Sequence, residues 1–429
     1  MRKLHRAWFV AAVAFVAILG AAGFRATPGV LIDPLRREFG WSTATISLAV
    51  SINLVLYGLT APFAAALMDR FGMRRVVSVA LLLIAAGSAG TLAMTASWQL
   101  LLCWGVLVGL GTGSMALVFV ATITERWFVR HRGLVTGVLT AAGATGQLIF
   151  LPVLAHLAEG PGWRVASLAV AACALAVVPF VWWLLRDRPE DVGTTALGAE
   201  PGASRTAAAD GTNAAVRALS VLRSAARTRA FWFLAAGFAI CGASTNGLVG
   251  THFIPAAHDH GMPQATAAGL LALVGIFDVA GTIASGWLSD RVDSRILLGV
   301  YYALRGLSLM VLPGLFAASA QPSMLVFIIF YGLDWVATVP PTVALCRKFF
   351  GADGAVVFGW VFASHQIGAA VVAVLAGLAR DQFGAYDVAW YGAGFLCLIA
   401  CVLSLAIGRG RRAPEEPRSG ILVSDERRA

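Results

Sequence analysis

Three charged side chains stand inside long apolar runs of this sequence: Asp278, Arg305 and Asp334. Asp278 has ten uncharged residues before it, back to Ala268, and eleven after it, up to Ser289, a stretch about as long as the apolar core of a bilayer is thick. Each of the three lies about ten to twelve residues from the start of its run, which at about 1.5 Å per helical residue is near the middle of a membrane. A charge at that depth is costly unless it is paired or wetted.

The residue types suggest that these positions handle anions and protons. The guanidinium of Arg305 can hold a carboxylate through two parallel hydrogen bonds, and the carboxylate of Asp278 can gain or lose a proton. We therefore interpret the charges as part of a pathway, and predict that Asp278 carries a proton and pairs with Arg305 in the empty protein. The alternative is an inert ion pair that locks helices together, although such pairs are weak stabilisers.

Helical spacing places each charge on a stripe of small or polar residues. The stripes are Gly275, Asp278, Thr282 and Ser285, then Tyr301, Arg305 and Ser308, and then Tyr331, Asp334, Thr338 and Pro341. Steps of three and four residues put each set on one helix face, which must meet protein or water because lipid excludes it. Small-residue helix packing is the alternative, but it does not suit an arginine. We predict that a solute contacts Tyr301, Arg305, Tyr331, Asp334 and Thr338.

Three further polar residues within apolar runs extend the candidate site. Arg25 lies in "FRATPG" (24–29), and Asn246 lies 221 residues later in the chain. We predict that both line a central cavity; the alternative for Arg25 is that it extends to the lipid headgroups. His365 is a third candidate, although a single buried histidine is more often a satisfied hydrogen bonder than a proton relay.

Other motifs that suggest chemistry have simpler interpretations. "HFIPAAHDH" (252–260) offers three histidines and one aspartate, but its spacing follows no common zinc pattern, so we interpret it as a polar loop and predict no metal site. "GLGTG" (109–113) lacks a preceding strand and indicates helix packing, not a phosphate loop. We find no nucleophile–base signature and no Walker motif, so we expect neither an enzyme nor a cofactor.

The composition indicates a multi-pass membrane protein. Of the 429 residues, 59% are hydrophobic and 13% are charged, whereas soluble domains carry roughly 25% charged residues. The net charge of +10 does not indicate nucleic-acid binding, because the basic residues lie in short gaps between apolar runs and not on a polar surface. The six cysteines fall in or at the end of apolar runs without a CxxC motif, which predicts small core residues.

Twelve apolar runs can each cross a bilayer as a helix, which predicts an all-α membrane protein. Numbered span 1 to span 12, they cover about 8–32, 44–67, 76–96, 100–123, 134–158, 163–185, 230–255, 266–288, 296–318, 323–345, 355–379 and 386–408. The first run follows "MRKLHR" as a signal peptide would, but it has no clear cleavage site, so we expect a retained helix.

The apolar runs group into two halves. The predicted domains are an N-terminal half of six helices (1–185), a polar linker that is part helix and part disordered (186–229), a C-terminal half of six helices (230–408) and a tail (409–429). We expect the two halves to surround a central cavity, and no obligatory protein partner is evident.

Basic residues predict the orientation of the spans. If both termini are cytoplasmic, the inner segments hold 26 Lys and Arg, and the outer loops hold four, which are Arg36, Arg37, Arg164 and Arg380. The reverse orientation would place the 26 outside. Thirty of the 32 basic residues are arginine, which is typical of a GC-rich bacterial genome. We therefore expect a bacterial inner-membrane protein with both termini in the cytoplasm.

The two halves repeat one design. "MDRFGMRR" (68–75) corresponds to "SDRVDSRI" (289–296), with Asp69 and Asp290 separated by 221 residues. The same offset relates Gly40 to Gly261, Arg126 to Arg347 and Gly133 to Gly354. Four landmarks at one offset predict six spans, a linker and six more spans of the same design.

These loop motifs resemble the signature of the major facilitator superfamily, G-x-x-x-D-R-x-G-x-[RK]-[RK]. The second half matches its start as "GWLSDR" (286–291), and the first half has "ALMDRFGMRR", with Ala65 where Gly is usual. The resemblance, over about residues 10–408, implies two bundles around a cavity that opens alternately to each side, without ATP. Asp69, Arg70, Asp290 and Arg291 lie at inner loops far from the midplane, so we predict that they act on conformational exchange and do not touch the substrate.

Within that superfamily, the chain resembles the monocarboxylate-porter group and its bacterial relatives. The signature of that group at span 5 begins Y-F-x-K-R-R-x-L-A-x-G, and "WFVRHRGLVTG" (127–137) keeps Phe128, Arg132, Leu134 and Gly137. Animal members also carry Asp in span 8 with Arg four residues later, where this chain has Asp278 and Thr282.

Two hypotheses for function follow from these features. The first is proton-coupled transport of a small organic anion, a monocarboxylate, with the anion, protons and membrane lipid as the partners. The second is proton-coupled efflux of amphipathic compounds, in which Asp334, Trp335 and Tyr331 would hold a cation. A transporter-like sensor would need a signalling domain, and residues 409–429 are too short to fold as one.

Overall fold

The computed structural model of the chain describes residues 5–115, 117–199, 214–289 and 291–407. Within these residues, eleven stretches are long and apolar enough to cross a membrane. One of the eleven, Ile149–Leu184, contains parts of both predicted spans 5 and 6, so the described residues account for twelve spans. The predicted all-α class is therefore confirmed, and the chain is a multi-pass membrane protein.

The first six spans follow the predicted order. Span 1 is Arg6–Phe39, span 2 is Thr43–Phe71, and span 3 is Met73–Gly90 with a short turn at Thr91–Ala93. Span 4 consists of Ser97–Leu100, a wide helical segment at Leu101–Val108, then Gly109–Ser114 and Leu117–Trp127. Span 5 is Arg132–Leu157, and a second wide segment, Ala158–Gly162, leads into span 6, Trp163–Leu184.

The last six spans repeat this order. Span 7 consists of Arg229–Gly242, a wide segment at Ala243–Val249, and Gly250–Asp259. Span 8 is Gln264–Ser289, span 9 is Ser294–Val311 with a turn at Leu312–Leu315, and span 10 consists of Pro322–Asp334 and Val339–Phe350. After the turn Gly351–Asp353, span 11 is Gly354–Phe383 and span 12 is Asp387–Ala406.

Part of the predicted linker is helical and packs on the spans. After the turn Pro189–Val192, the backbone of Leu197 bonds to Trp127 at the end of span 4, with an N···O distance of 2.9 Å. The helix Ala214–Ala225 accepts a hydrogen bond at the Ala218 carbonyl from the indole of Trp360 in span 11, at 2.9 Å. Each end of the linker is therefore attached to the half that it adjoins.

The two halves are hydrogen-bonded to each other at one face, which we call the outer face because the charge pattern predicts that it is extracytoplasmic. The bonds that join them there are Gln264 to Asp33 (3.2 Å), Arg37 to His258 (2.6 Å), the Ala265 N–H to Glu159 (3.1 Å), and the Thr43 and Ala44 N–H groups to Asp381 (3.1 and 2.9 Å). These bonds close the outer face.

Candidate functional site

Span 10 is broken near the middle of the membrane. Its first helix ends at Asp334, the chain turns through residues 335–338, and a second helix begins at Val339. Pro340 and Pro341 open that second helix, and since proline has no N–H, they cannot continue the hydrogen-bond ladder of the first. The break frees backbone groups that need partners, because lipid offers none.

Arg305 of span 9 bonds to the carbonyls at the end of the first helix. Its Nη2 donates to the backbone oxygens of Asp334 at 2.6 Å and Trp335 at 3.3 Å. A cation at this end of a helix is favourable, because the helix dipole is negative there. The side chain is completely buried, with 0% exposed, and its guanidinium carbon lies 5.9 and 6.0 Å from the rings of Tyr302 and Tyr331.

Asp334 is the carboxylate partner of Arg305. Arg305 Nε donates to Asp334 Oδ2 at 2.5 Å, whereas Asp334 Oδ1 has no hydrogen-bond partner among the described residues. The sequence alone predicts Asp278 as this partner, and that pairing is wrong. Arg305 of span 9 bonds to the carbonyls at the end of the first helix, whereas Asp278 of span 8 bonds to an N–H group within the break.

Asp278 holds the chain within the break. Its Oδ1 accepts the N–H of Val336 at 3.0 Å and the hydroxyl of Thr282, one turn further along span 8, also at 3.0 Å. A carboxylate is favourable beside freed N–H groups because they carry partial positive charge, just as a guanidinium is favourable beside freed carbonyl groups, which carry partial negative charge. The buried charges therefore satisfy the two kinds of backbone group that the break exposes.

Two glycines allow spans 8 and 10 to approach closely enough for these bonds. A Cβ added to Gly281 would lie 1.9 Å from the Leu333 carbonyl oxygen, and one added to Gly332 would lie 2.8 Å from Phe277 Cβ. Both distances are far below van der Waals contact, so only glycine fits at either position. The closeness of the two backbones positions Asp278 on the turn of span 10.

Span 7 completes the surroundings of the charges. Arg305 Nη1 donates to Cys241 Sγ at 2.9 Å, and Cys241 Sγ lies 3.2 Å from the Thr338 hydroxyl. The Tyr331 hydroxyl donates to the Ser244 carbonyl at 2.9 Å. The sequence predicts Cys241 only as a core residue, because its position inside an apolar run gives no signal of the contact with Arg305.

The other predicted binding residues are less closely connected to this cluster. Tyr301 is half-buried near Ser285 of span 8, and Asn246 is half-buried in the wide segment of span 7. His365 is buried between the rings of Phe238 and Phe362, with centroid distances of 4.8 and 5.8 Å. The structure therefore places them in the spans that the sequence predicts, and groups Tyr331, Asp334 and Thr338 with Arg305.

Several predicted residues lie outside the described part of the chain. Arg25 and Asp69 belong to the helices of spans 1 and 2, but their side chains are not described, and Asp290 is not described at all. Arg70 is exposed and lies 5.2 Å from the ring of Phe71. Arg291 is also exposed and lies over the ring of Trp287 at 4.1 Å, near the end of span 8.

The loop between spans 8 and 9 contains a strong local ion pair. Arg295 Nε donates to Asp293 Oδ1 at 3.0 Å, and Nη2 donates to Oδ2 at 2.5 Å. These side-chain hydrogen bonds lower the pKa of Asp293 to about 2, because they stabilise its charged form. Asp293 also accepts the Arg295 N–H at the start of span 9, so it fixes the end of the loop that carries the "SDRVDSRI" motif.

The histidines of "HFIPAAHDH" have separate partners. His252 bonds to the Ala373 carbonyl at 2.8 Å, His258 to Arg37 at 2.6 Å and His260 to the Ala256 carbonyl at 2.8 Å. No group of three or more His, Cys, Asp or Glu within the described residues could hold a metal ion. Of the three, His258 joins the two halves of the protein.

Comparisons with known proteins agree with the fold. Monocarboxylate transporter 11 of Homo sapiens is 28% identical over 418 residues, covering 94% of this chain and 83% of that protein. The uncharacterized MFS-type transporter YcxA of Bacillus subtilis (strain 168) is 26% identical over 398 residues, covering 88% of this chain and 90% of that protein. The crystal structure of a D-xylose-proton symporter has a TM-score of 0.71 at 14% identity, covering 92% of this chain and 97% of that chain, which shows the shared fold.

The family model extends over most of the chain. It is the model of the Major Facilitator Superfamily, and it matches residues 13–356, which include the candidate cluster. This match and the whole-length likeness to proteins named as transporters confirm the resemblance that the loop motifs predict. The chain therefore belongs to the Major Facilitator Superfamily and is a transporter, not an enzyme.

Proposed function

We propose that the protein is a secondary active transporter of a small organic anion, a monocarboxylate, which it couples to protons by alternating access. The observation that carries this proposal is the cluster of one guanidinium and two carboxylates around the break in span 10. The whole-length likeness to a monocarboxylate transporter supports the class of substrate. Discontinuous membrane helices often form the substrate and ion sites of transporters.

Charge balance suggests how the cluster couples an anion to a proton. Arg305 and Asp334 neutralise each other, so an ionised Asp278 leaves one net negative charge that repels an anion. A proton on Asp278 removes that charge, and an anion that then binds restores it, so the cluster has the same net charge with one anion and one proton bound as it has when empty. Both donors to Asp278 use Oδ1, so a proton on Oδ2 disrupts neither hydrogen bond. We therefore propose Asp278 as the proton-coupling residue.

Arg305 has one contact that a substrate can replace at little cost. Its Nη1 donates to the thiol of Cys241, which is a weak acceptor, while Nε and Nη2 remain on Asp334 and Trp335. A substrate carboxylate at Nη1 exchanges this weak bond for a charge-assisted one. We propose that the substrate also contacts the remaining predicted residues, which are Arg25, Asn246, Tyr301, Tyr331, Asp334, Thr338 and His365.

The contact between Asp334 and Arg305 disfavours the efflux of cations. For a cation to bind at Asp334 beside Trp335 and Tyr331, the carboxylate would have to leave Arg305, which would then be a buried charge without a partner. Removing one member of a buried ion pair is strongly unfavourable. An anion meets no such obstacle, because it approaches a guanidinium.

We propose the location and the moving parts from the charge pattern. Both termini lie in the cytoplasm, the protein resides in a bacterial inner membrane, and the halves are 1–185 and 230–408 on either side of the linker 186–229, with a tail at 409–429. Asp69, Arg70, Asp290 and Arg291 lie in the repeated loop motifs, far from the midplane. We propose that these four residues control conformational exchange and do not touch the substrate.

Uptake into proteoliposomes with and without an imposed pH gradient tests the proposal. We expect the wild type to concentrate a monocarboxylate such as lactate only with the gradient. Asp278→Asn fixes an uncharged side chain, so it should lose proton-driven accumulation but retain exchange of anions between two loaded sides. Asp353→Asn, at an exposed carboxylate with an ion pair to Arg217, is the matched control and should behave as the wild type. Continued accumulation by Asp278→Asn would show that Asp278 is not the carrier, and Asp334 would be the next candidate.

A further inference from the structure

The amide of Gln366 in span 11 is a polar group that the proposed site does not use. Its side chain is fully buried, with 0% exposed. Neither Oε1 nor Nε2 has a hydrogen-bond partner among the described residues. A buried amide without partners costs free energy that an apolar side chain of the same size would not. In this structure, in which the outer face is closed, the amide of Gln366 is therefore unpaired. We expect it to have a hydrogen-bond partner in another conformational state.

Gln366 lies where the two halves meet. A Cβ added to Gly58 of span 2 would lie 2.7 Å from Gln366 Cβ and 3.0 Å from its Cγ. Gly58 is near the middle of the 29-residue helix of span 2, and Gln366 is near the middle of the 30-residue helix of span 11. The amide is thus at the depth where a transporter of this fold exposes its substrate between the halves.

The neighbours of Gln366 in span 11 show which face it occupies. The Ser364 hydroxyl donates to the Ala235 carbonyl in span 7 at 2.8 Å, and an added Cβ on Gly368 would lie 2.0 Å from the Ala239 carbonyl oxygen. Those two residues therefore pack within the C-terminal half, whereas Gln366 faces the N-terminal half. When the halves separate at Gly58, the amide becomes part of the wall of the opening.

We propose that Gln366 determines substrate specificity by hydrogen-bonding a hydroxyl or carbonyl oxygen that the anion carries in addition to its carboxylate. This inference rests on the proposed transport of organic anions. An amide offers one acceptor and two donors, which match both a hydroxyl group and a carbonyl oxygen. A site that hydrogen-bonds a substrate oxygen rejects the analogue without it, because the polar group of the protein is then left unpaired.

Uptake of two acids that differ in one oxygen tests the inference. The wild type and Gln366→Met are compared with lactate and propionate in the same proteoliposome assay. We expect Gln366→Met to raise KM for lactate at least about tenfold and to change KM for propionate by less than about twofold. The thermal stability of the purified variant should be equal to or higher than that of the wild type, because an unpaired amide is removed.

Gly58→Ala controls for packing at the same contact. It adds bulk against Gln366 but leaves the amide in place, so it should change turnover equally for both acids and leave the ratio of their KM values unchanged. Equal effects of Gln366→Met on the two acids, or the same change of ratio in Gly58→Ala, would overturn the inference while leaving organic-anion transport intact. If the wild type transports neither acid, the proposed function fails and this inference fails with it.

Discussion

Arg305 has the most extensive hydrogen bonding in the cluster, because its three donor nitrogens contact a carboxylate, two carbonyls and a thiol at once. A planar guanidinium can do this because its donors are spread over three nitrogens, whereas all donors of lysine are on one nitrogen at the end of a flexible side chain. The charge is tolerated in this buried position because each donor nitrogen has a partner. The same network makes the residue structural as well as a candidate for anion binding.

The double role of Arg305 predicts different outcomes for single and double substitutions. Arg305→Ala leaves Asp334 buried without a counter-ion, and should cost roughly 3–5 kcal/mol of stability together with all transport. Arg305→Met combined with Asp334→Leu removes both charges, and should recover most of the stability but none of the transport. Thermal unfolding in detergent and uptake in proteoliposomes measure the two effects separately. Transport by the double variant would show that the pair is only structural.

At the scale of the helices, the sequence predicts where the charges lie but not how they pair. The apolar runs and the steps of three and four residues indicate the depth and face of Asp278, Arg305 and Asp334. The partner of each depends on how spans 8, 9 and 10 rotate against one another, which a single helix pattern does not contain. Pro340 and Pro341 lie at the break in span 10, but the apolar run continues through them, so hydropathy alone predicts one unbroken span.

The approach of spans 8 and 10 gives a prediction at this scale. Gly281→Ala places a methyl group against the Leu333 carbonyl, so it must push the helices apart and separate Asp278 from the Val336 N–H. We expect a clear fall in thermal stability and in uptake. Gly286 lies on the same helix with nothing within 4 Å of an added Cβ, so Gly286→Ala should behave as the wild type. Equal stability of the two variants would contradict this account of the helix contact.

At the scale of the whole molecule, repetition in the sequence predicts two halves, but it does not predict which face is closed. That depends on pairs between the halves, such as Arg37 with His258 and Asp381 with the first N–H groups of span 2. None of these residues belongs to a motif that marks its partner. The closed outer face is therefore a property that only the three-dimensional arrangement shows.

The contacts of Asp381 allow a test of whether these bonds hold the outer face closed. The carboxylate of Asp381 in span 11 accepts the N–H groups of Thr43 and Ala44 in span 2, so it stabilises the start of that helix and joins the halves in the same contact. Asp381→Ala should shift the population toward states open at the outer face. A cysteine introduced at Ser47, which lies against Gly377 between the halves, should then react faster with a polar thiol reagent applied from outside.

The matched control is Asp259→Ala, which breaks the bonds to Arg380 at 2.6 and 3.0 Å on the same face but within the C-terminal half. Because this control removes no bond between the halves, it should leave the labelling rate unchanged. Equal acceleration of labelling by both variants would mean that the outer face responds to the loss of a charge and not to the loss of a contact between the halves.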